Sequence, residues 1–192
     1  MRLFVGLGNP GERYRLTRHN LGFWVVEELS RRWGIPLSRR LGGGLLGLGR
    51  PGGKRVGLFL PLTYMNLSGS AVQKAVAHLA LSPGDLLVIH DDLDLEAGRL
   101  RMRPGGSSAG HRGVESIIAA LGTEAFPRLR IGIGRPPEGV DPAEYVLMPM
   151  DEEEVRSFRP VVERAADGCA MLLDRDLDAT MGWVNSVYAP PG

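Results

Sequence analysis

The chain has one cysteine, Cys169, among its 192 residues. A lone thiol excludes an internal disulfide and a cysteine zinc cluster. No apolar run approaches the roughly 20 residues needed to span a bilayer. The strand-like Leu3-Phe4-Val5 follows the N-terminus almost at once, so no leader segment is expected ahead of it. No repeat, low-complexity tract or linker divides the sequence. With 43% apolar and 23% charged residues, the composition is that of a soluble globular protein. The length suits one domain over residues 1–192 with a full core, and a cytoplasmic location is the plain expectation.

The net charge of +1 conceals an asymmetry. Residues 1–135 carry 19 Lys and Arg against 10 Asp and Glu, a net +9; residues 136–192 carry 4 against 12, a net −8. A basic body with an acidic tail segment is compatible with a polyanionic ligand on the body, but charge alone favours the plainer reading of a solvated surface of uneven charge.

Periodicity sets out the elements. A buried strand over residues 2–7 is stopped by Gly8-Asn9-Pro10-Gly11. Asn20 is placed to cap a helix running to about Trp33, with Leu21, Trp24, Val25 and Leu29 on one face. A hairpin is expected over 44–60 around Arg50-Pro51-Gly52-Gly53, a helix over 68–79 and an apolar strand over 85–90. Residues 99–103 alternate arginine with Leu100 and Met102, which makes one strand face cationic. A loop over 104–110, a helix over 111–121 and a strand over 129–134 follow. Two helices, about 151–173 and 176–187, end the chain. Strands alternating with helices predict an α/β sandwich on a largely parallel or mixed sheet. In such sheets ligands lie beyond the carboxyl ends of strands, which is where Asn9 and Asp91 fall.

Three local patterns invite a functional reading. Gly6-Leu7-Gly8-Asn9-Pro10-Gly11 fits G-x-G-x-x-G after a strand. However, Pro10 occupies the start of the phosphate-binding helix, and Glu27 and Glu28 lie inside a helix where a ribose-binding acid should end a strand. Gly106-Ser107-Ser108-Ala109-Gly110 fits the serine-hydrolase elbow G-x-S-x-G. That fold needs an acid and then a histidine after the serine, and the only later histidine is His111. The elbow reading fails on chain order. His19, His90, Asp91, Asp92 and His111 carry ligand atoms for a metal, but in no local spacing typical of a metal site.

What the chain does offer is a base, a group to orient it and uncharged amides to hold a carbonyl. The imidazoles of Thr17-Arg18-His19-Asn20 and His90-Asp91-Asp92-Leu93-Asp94, the carboxylates beside them and the Asn66 amide place such groups at element ends. Asn9 adds a second amide. This inventory suits hydrolysis of an ester or amide, without a redox cofactor.

Gly6-Leu7-Gly8-Asn9-Pro10-Gly11, Tyr14, Thr17-Arg18-His19-Asn20, Tyr64-Met65-Asn66-Leu67-Ser68-Gly69, His90-Asp91-Asp92-Leu93-Asp94, Gly110-His111 and Arg128-Leu129-Arg130-Ile131-Gly132-Ile133-Gly134 resemble, in order and spacing, the bacterial peptidyl-tRNA hydrolase family. The resemblance implies a monomeric single-domain α/β/α sandwich with a twisted mixed sheet. It implies cleavage of the ester between peptide and tRNA with neither metal nor cofactor, and peptidyl-tRNA as the partner. Carried over, His19 and Asp91 are catalytic. Asn9, Tyr14, Tyr64, Met65, Asn66 and Arg112 bind substrate, and Arg103 and Arg130, with Arg101 beside them, bind a tRNA phosphate. The chain departs from the family at Arg112, where the pattern has an asparagine. Asparagine donates and accepts, whereas arginine only donates and adds a fixed charge. Two orientations of Arg112 are open: into the cleft, where its charge would disfavour the His19 imidazolium, or outward, toward the basic face, which is favoured because burying an unpaired guanidinium is costly. Two further readings remain: a non-catalytic RNA-binding protein on the same fold, and a metal hydrolase acting on another ester.

Overall fold

A computed structural model describes residues 1–186. The seven strands are β1 (Arg2–Gly6), β2 (Arg39–Leu41), β3 (Gly44–Gly49), β4 (Val56–Pro61), β5 (Leu86–Asp92), β6 (Leu100–Arg103) and β7 (Arg128–Gly132). They form one sheet in the order β2-β3-β4-β1-β5-β7-β6. The central pairs β4/β1, β1/β5 and β5/β7 are parallel, and the outer pairs β2/β3, β3/β4 and β6/β7 are antiparallel. The sheet is therefore mixed, as the sequence predicts. The short strand β2, outside the expected hairpin, pairs antiparallel with β3.

The helices are α1 (Leu21–Trp33), α2 (Ser68–His78), α3 (Arg112–Leu121), the single turn α4 (Pro142–Tyr145), α5 (Glu152–Asp174) and α6 (Leu177–Ser186). The expected final residue of the last helix, 187, lies outside the described residues. Side chains alternate across the strands, so the two sheet faces support separate cores. Phe4, Leu58, Leu87, Ile89 and Ile131 pack with Val26 and Leu29 of α1 and Phe158 and Val162 of α5. Leu3, Val5, Phe59 and Val88 pack on the other face with Val72 and Ala75 of α2 and Val114 and Ile117 of α3. Helices thus cover both faces.

The start of α1 lies tight against the carboxyl ends of the parallel strands. A Cβ on Gly22 would collide with the backbone oxygen of Ile89 and the backbone of Leu7. Only glycine permits this approach, and it brings the residues just ahead of α1 to the ends of β1 and β5.

The acidic C-terminal segment has a structural use. Asp151 caps α5, and Glu152, Glu153 and Glu154 occupy its first turn, where the helix dipole favours negative charge. Glu154 grips Arg18, Asp167 meets Arg32 and Asp174 meets Lys54. Part of the charge asymmetry is therefore internal pairing between α5 and the basic body.

Candidate active site

Five segments converge beyond the carboxyl ends of β1 and β5. A cavity of about 630 Å³ there is lined by Asn9, Tyr14, His19, Tyr64, Met65, Asn66, Asp91 and Arg112, together with residues of the 108–111 and 141–147 segments. Every residue assigned above to catalysis or to substrate binding lies in this one lining. Arg101, Arg103 and Arg130 lie outside it.

His19 sits in a short 3-10 turn, Arg18–Asn20, directly before α1. Its amide donates to the Val146 carbonyl at 2.9 Å. Its neighbour Arg18 donates to both carboxylate oxygens of Glu154, at 2.5 and 2.6 Å, and to the Tyr145 carbonyl at 2.9 Å, and lies over the Tyr145 ring. The turn is thus fastened to α4 and α5. His19 Nδ1 lies 3.0 and 2.9 Å from the two oxygens of Asp91. A carboxylate only accepts, so Nδ1 carries the proton and donates. Nε2, on the far side of the ring, has no partner among the described residues and opens to the cavity.

Asn20 corrects an expectation. It precedes α1 but makes no side-chain cap. Its Oδ1 accepts from the Asn9 amide at 2.9 Å, and its Nδ2 donates to the Asn9 carbonyl at 2.9 Å. The side chain is spent on holding the loop after β1. Asn9 Oδ1 in turn accepts from the Met65 amide at 2.8 Å, which leaves Asn9 Nδ2 as a donor without a partner among the described residues. Asn66, next along the chain, is exposed at the cavity rim. Two amides therefore border the space next to His19.

His111 enters the site in a role the sequence did not reveal. Its Nε2 lies 2.9 Å from Asp91 Oδ1. Its Nδ1 caps α3, accepting from the amides of Gly113 and Val114 at 3.1 and 3.3 Å. Those two donors fix the tautomer: Nδ1 is bare, so Nε2 carries the proton and donates to Asp91. One carboxylate, 2% exposed, thus holds two imidazoles. Burial alone would raise the titration of Asp91, but its electrostatic attraction to the His19 and His111 rings and the hydrogen bonds they donate outweigh it and hold the carboxyl well below its ordinary range.

Among the described residues, His19, Asp91 and His111 are also the group that could hold a metal ion, with ligand atoms within 4.8 Å of one another. As arranged, these atoms are spent on each other. A metal on His111 Nε2 would move the proton to Nδ1 and forfeit the two α3 amide bonds. The geometry favours an organic general-base centre.

His90 lies beneath this group. It is 3% exposed, donates from Nδ1 to the Asp91 carbonyl at 2.7 Å, and packs edge-on to the His111 ring at 4.7 Å. Its Nε2 is buried with no partner among the described residues. Burial, with electrostatic repulsion from the neighbouring His111 ring adding to it, pushes its titration from 6.5 down to about 3. A value lowered on folding gives stability that is complete above the unfolded value and is lost as pH falls toward the folded one. From about pH 6.5 toward 3, His90 should therefore cost up to about 1.4 kcal/mol per pH unit. His90→Phe should flatten that part of a curve of unfolding free energy against pH; equal slopes for the two proteins would contradict the assignment.

The cationic strand face is present. Arg101 stands opposite Arg130, and Arg103 opposite Arg128, across the antiparallel β6/β7 pair. Facing residues of such a pair share one side of the sheet, so four arginines gather there. Burial, followed by the like charges of Arg130 and Arg101, lowers the titration of Arg103. Arg128 is buried, donating to the Ser107 carbonyl at 2.5 Å and lying over Phe126. Arg130 donates from Nε to Asp92 Oδ2 at 2.6 Å, and Asp92 lines the cavity. Arg112, first residue of α3, is exposed at the cavity lining with no ion pair among the described residues. It is not buried, and it faces the mouth as well as solvent.

Comparison with known proteins agrees with this geometry. The family model described as Peptidyl-tRNA hydrolase matches residues 3–190. A peptidyl-tRNA hydrolase of Geobacillus kaustophilus is 50% identical over 169 residues, covering 88% of this chain and 91% of that one. One from Bacillus anthracis is 44% identical over 186 residues, covering 97% and 100%. The crystal structure of peptidyl-tRNA hydrolase from Acinetobacter baumannii superposes with a TM-score of 0.90 at 36% identity, covering 97% of this chain and 95% of that one. Motifs, mixed sheet and cleft all lead to one assignment: the chain belongs to the peptidyl-tRNA hydrolase family.

Proposed function

We propose that the protein hydrolyses the ester between the peptide and the terminal ribose of peptidyl-tRNA, releasing tRNA for reuse. The observation that carries this reading is the pairing of His19 Nδ1 with the buried Asp91 at 2.9 Å, which leaves Nε2 bare beside the Asn9 and Asn66 amides. Water between Nε2 and the carbonyl loses its proton to His19 as it attacks. The tetrahedral oxyanion takes a hydrogen bond from Asn66, and the proton on His19 passes to the departing ribose oxygen. Tyr14, Tyr64 and Met65 form walls for the peptide and the terminal nucleotide. Uncharged amides suit an acylated α-nitrogen better than a free ammonium, which would lose its water without gaining a counter-charge. Aminoacyl-tRNA is thereby spared.

Arg101, Arg103 and Arg130 supply the phosphate-binding face, the 5′-phosphate of the tRNA being the occupant. Like charges facing each other across a strand pair are unfavourable, and a polyanion relieves them. The alternative, a non-catalytic RNA-binding protein, leaves a buried carboxylate shared by two imidazoles without a purpose. The protein is further read as a single-domain cytoplasmic monomer. No helix among the described residues is long and apolar enough to cross a membrane.

The test is incubation with N-acetylated aminoacyl-tRNA, with and without a chelator. Release of tRNA and N-acetyl amino acid at equal rates is expected, with little release from free aminoacyl-tRNA. No release, or release abolished by the chelator, would contradict the reading. Arg112, hydrated at the mouth, should act on the tRNA backbone. Arg112→Asn should flatten the log–log salt dependence of kcat/KM by about 0.7–0.9 and leave its pH profile in place. A shifted acidic limb with an unchanged salt slope would place the guanidinium against His19.

A further inference from the structure

We propose that Asp92 is a positioning residue that aims Arg130 at the tRNA phosphate and fixes its distance from the catalytic pair. This rests on the hydrolase reading and on the arginine face as its phosphate site. Arg130 and Asp92 side chains are 13% and 5% exposed, and Nε to Oδ2 is 2.6 Å. The other carboxylate oxygen of Asp92 accepts from the Asp94 amide at 2.8 Å. Asp92 is therefore tied at both oxygens and cannot swing away with the guanidinium.

The consequence lies in which nitrogens remain. Arginine binds an anion through parallel N–H groups, along its Nε edge or across its two Nη groups. Asp92 occupies Nε, so Arg130 is left with its terminal fork, directed away from Asp92. Arg101 is its direct partner across the strand pair and has no ion pair among the described residues. Arg101 and Arg103 bring charge to this face, while Arg130 is the one cation among them held in a fixed orientation by a buried acid.

The second consequence is distance. Asp91 and Asp92 are adjacent residues at the end of β5, and their side chains alternate to opposite sides of the strand. Asp91 holds His19 and Asp92 holds Arg130. One strand end thus carries the orienting group of the base and that of the phosphate contact. A rigid β5 then sets the span between ester and phosphate, a measure of the folded tRNA end that a short peptidyl-oligonucleotide lacks.

The experiment compares KM for N-acetylated aminoacyl-tRNA bearing a 5′-phosphate with KM for the same tRNA bearing a 5′-hydroxyl. In the wild type the phosphate should lower KM. In Asp92→Asn that advantage should shrink about 5- to 10-fold, the worth of one charge-assisted contact, because Arg130 Nε and the Asp94 amide meet different oxygens of Asp92, and the asparagine NH2 would set a donor against one of them. Asp92→Glu, which keeps the carboxylate, should retain the larger part of it. Simple loss of a negative charge would instead lower KM for both substrates, and a general structural defect would change both by one factor. Either result, with the phosphate advantage intact, overturns the proposal. Arg130→Lys provides an independent arm: the charge remains but the fork is gone, so the advantage should fall there too, and a retained advantage overturns the aimed fork. A wild type that cleaves both substrates with equal KM overturns the phosphate site and this proposal while leaving the hydrolase reading in place.

Discussion

Replacing His19 by alanine should cut turnover of N-acetylated aminoacyl-tRNA on the order of 10²–10⁴-fold and leave tRNA binding near wild type. The imidazole takes a proton only as water attacks, so its loss removes an interaction of the transition state and not of the ground state. The arginine face lies outside the cavity and should hold tRNA regardless. The fold should survive as well, because the turn is fastened by the His19 amide to Val146 and by Arg18 to Glu154, contacts that do not use the His19 ring. Single-turnover rates and equilibrium binding separate the two effects. A variant that retains turnover, or one that loses binding in proportion to rate, would remove His19 from its assigned place.

Asp91→Asn should lose less than His19→Ala, yet still on the order of 10²-fold. The reason is a count of donors. Two ring N–H groups converge on the Asp91 carboxylate, from His19 and from His111. An asparagine amide has one accepting oxygen and one donating nitrogen, so a donor is set against a donor. His111 cannot relieve the conflict, because the Gly113 and Val114 amides hold its Nδ1 bare. His19 must turn or move its proton to Nε2, which blocks the base. A His111→Gln change in the Asp91→Asn background removes the locked donor and should recover part of the lost rate. Near-wild-type activity in Asp91→Asn would show that the carboxylate neither orients nor assists the base.

The sequence made the elements legible where local chemistry decides them. Alternating Arg101 and Arg103 with Leu100 and Met102 forecast a two-faced strand, and β6 has Leu100 and Met102 buried against one core. The residues bordering the cleft were legible because element ends carry amides, imidazoles and carboxylates where solvated loops would be bland. The Asn20 side chain was not legible. An asparagine ahead of a helix is ordinarily a cap, and only the close approach of α1 to β1 offers it the Asn9 backbone instead. His111 was not legible either. It lies 20 residues from Asp91, with strand β6 between them in the chain, and only the fold shows that the start of α3 faces the end of β5. The Asp92–Arg130 pair depends on β5 and β7 being parallel neighbours with His90 beside Arg130, a register no local pattern encodes.

The central claim is that His19 presents a bare Nε2 to the cleft because Asp91 holds its Nδ1 proton. Long-range proton–nitrogen correlation spectra of the protein with labelled histidine read this directly, since protonated and bare ring nitrogens resonate far apart. The account predicts that neutral His19 is the Nδ1–H tautomer and His111 the Nε2–H tautomer, and that Asp91→Asn shifts the His19 proton toward Nε2 while His111 stays as it was. A His19 ring carrying its proton on Nε2 in the wild type would contradict the account.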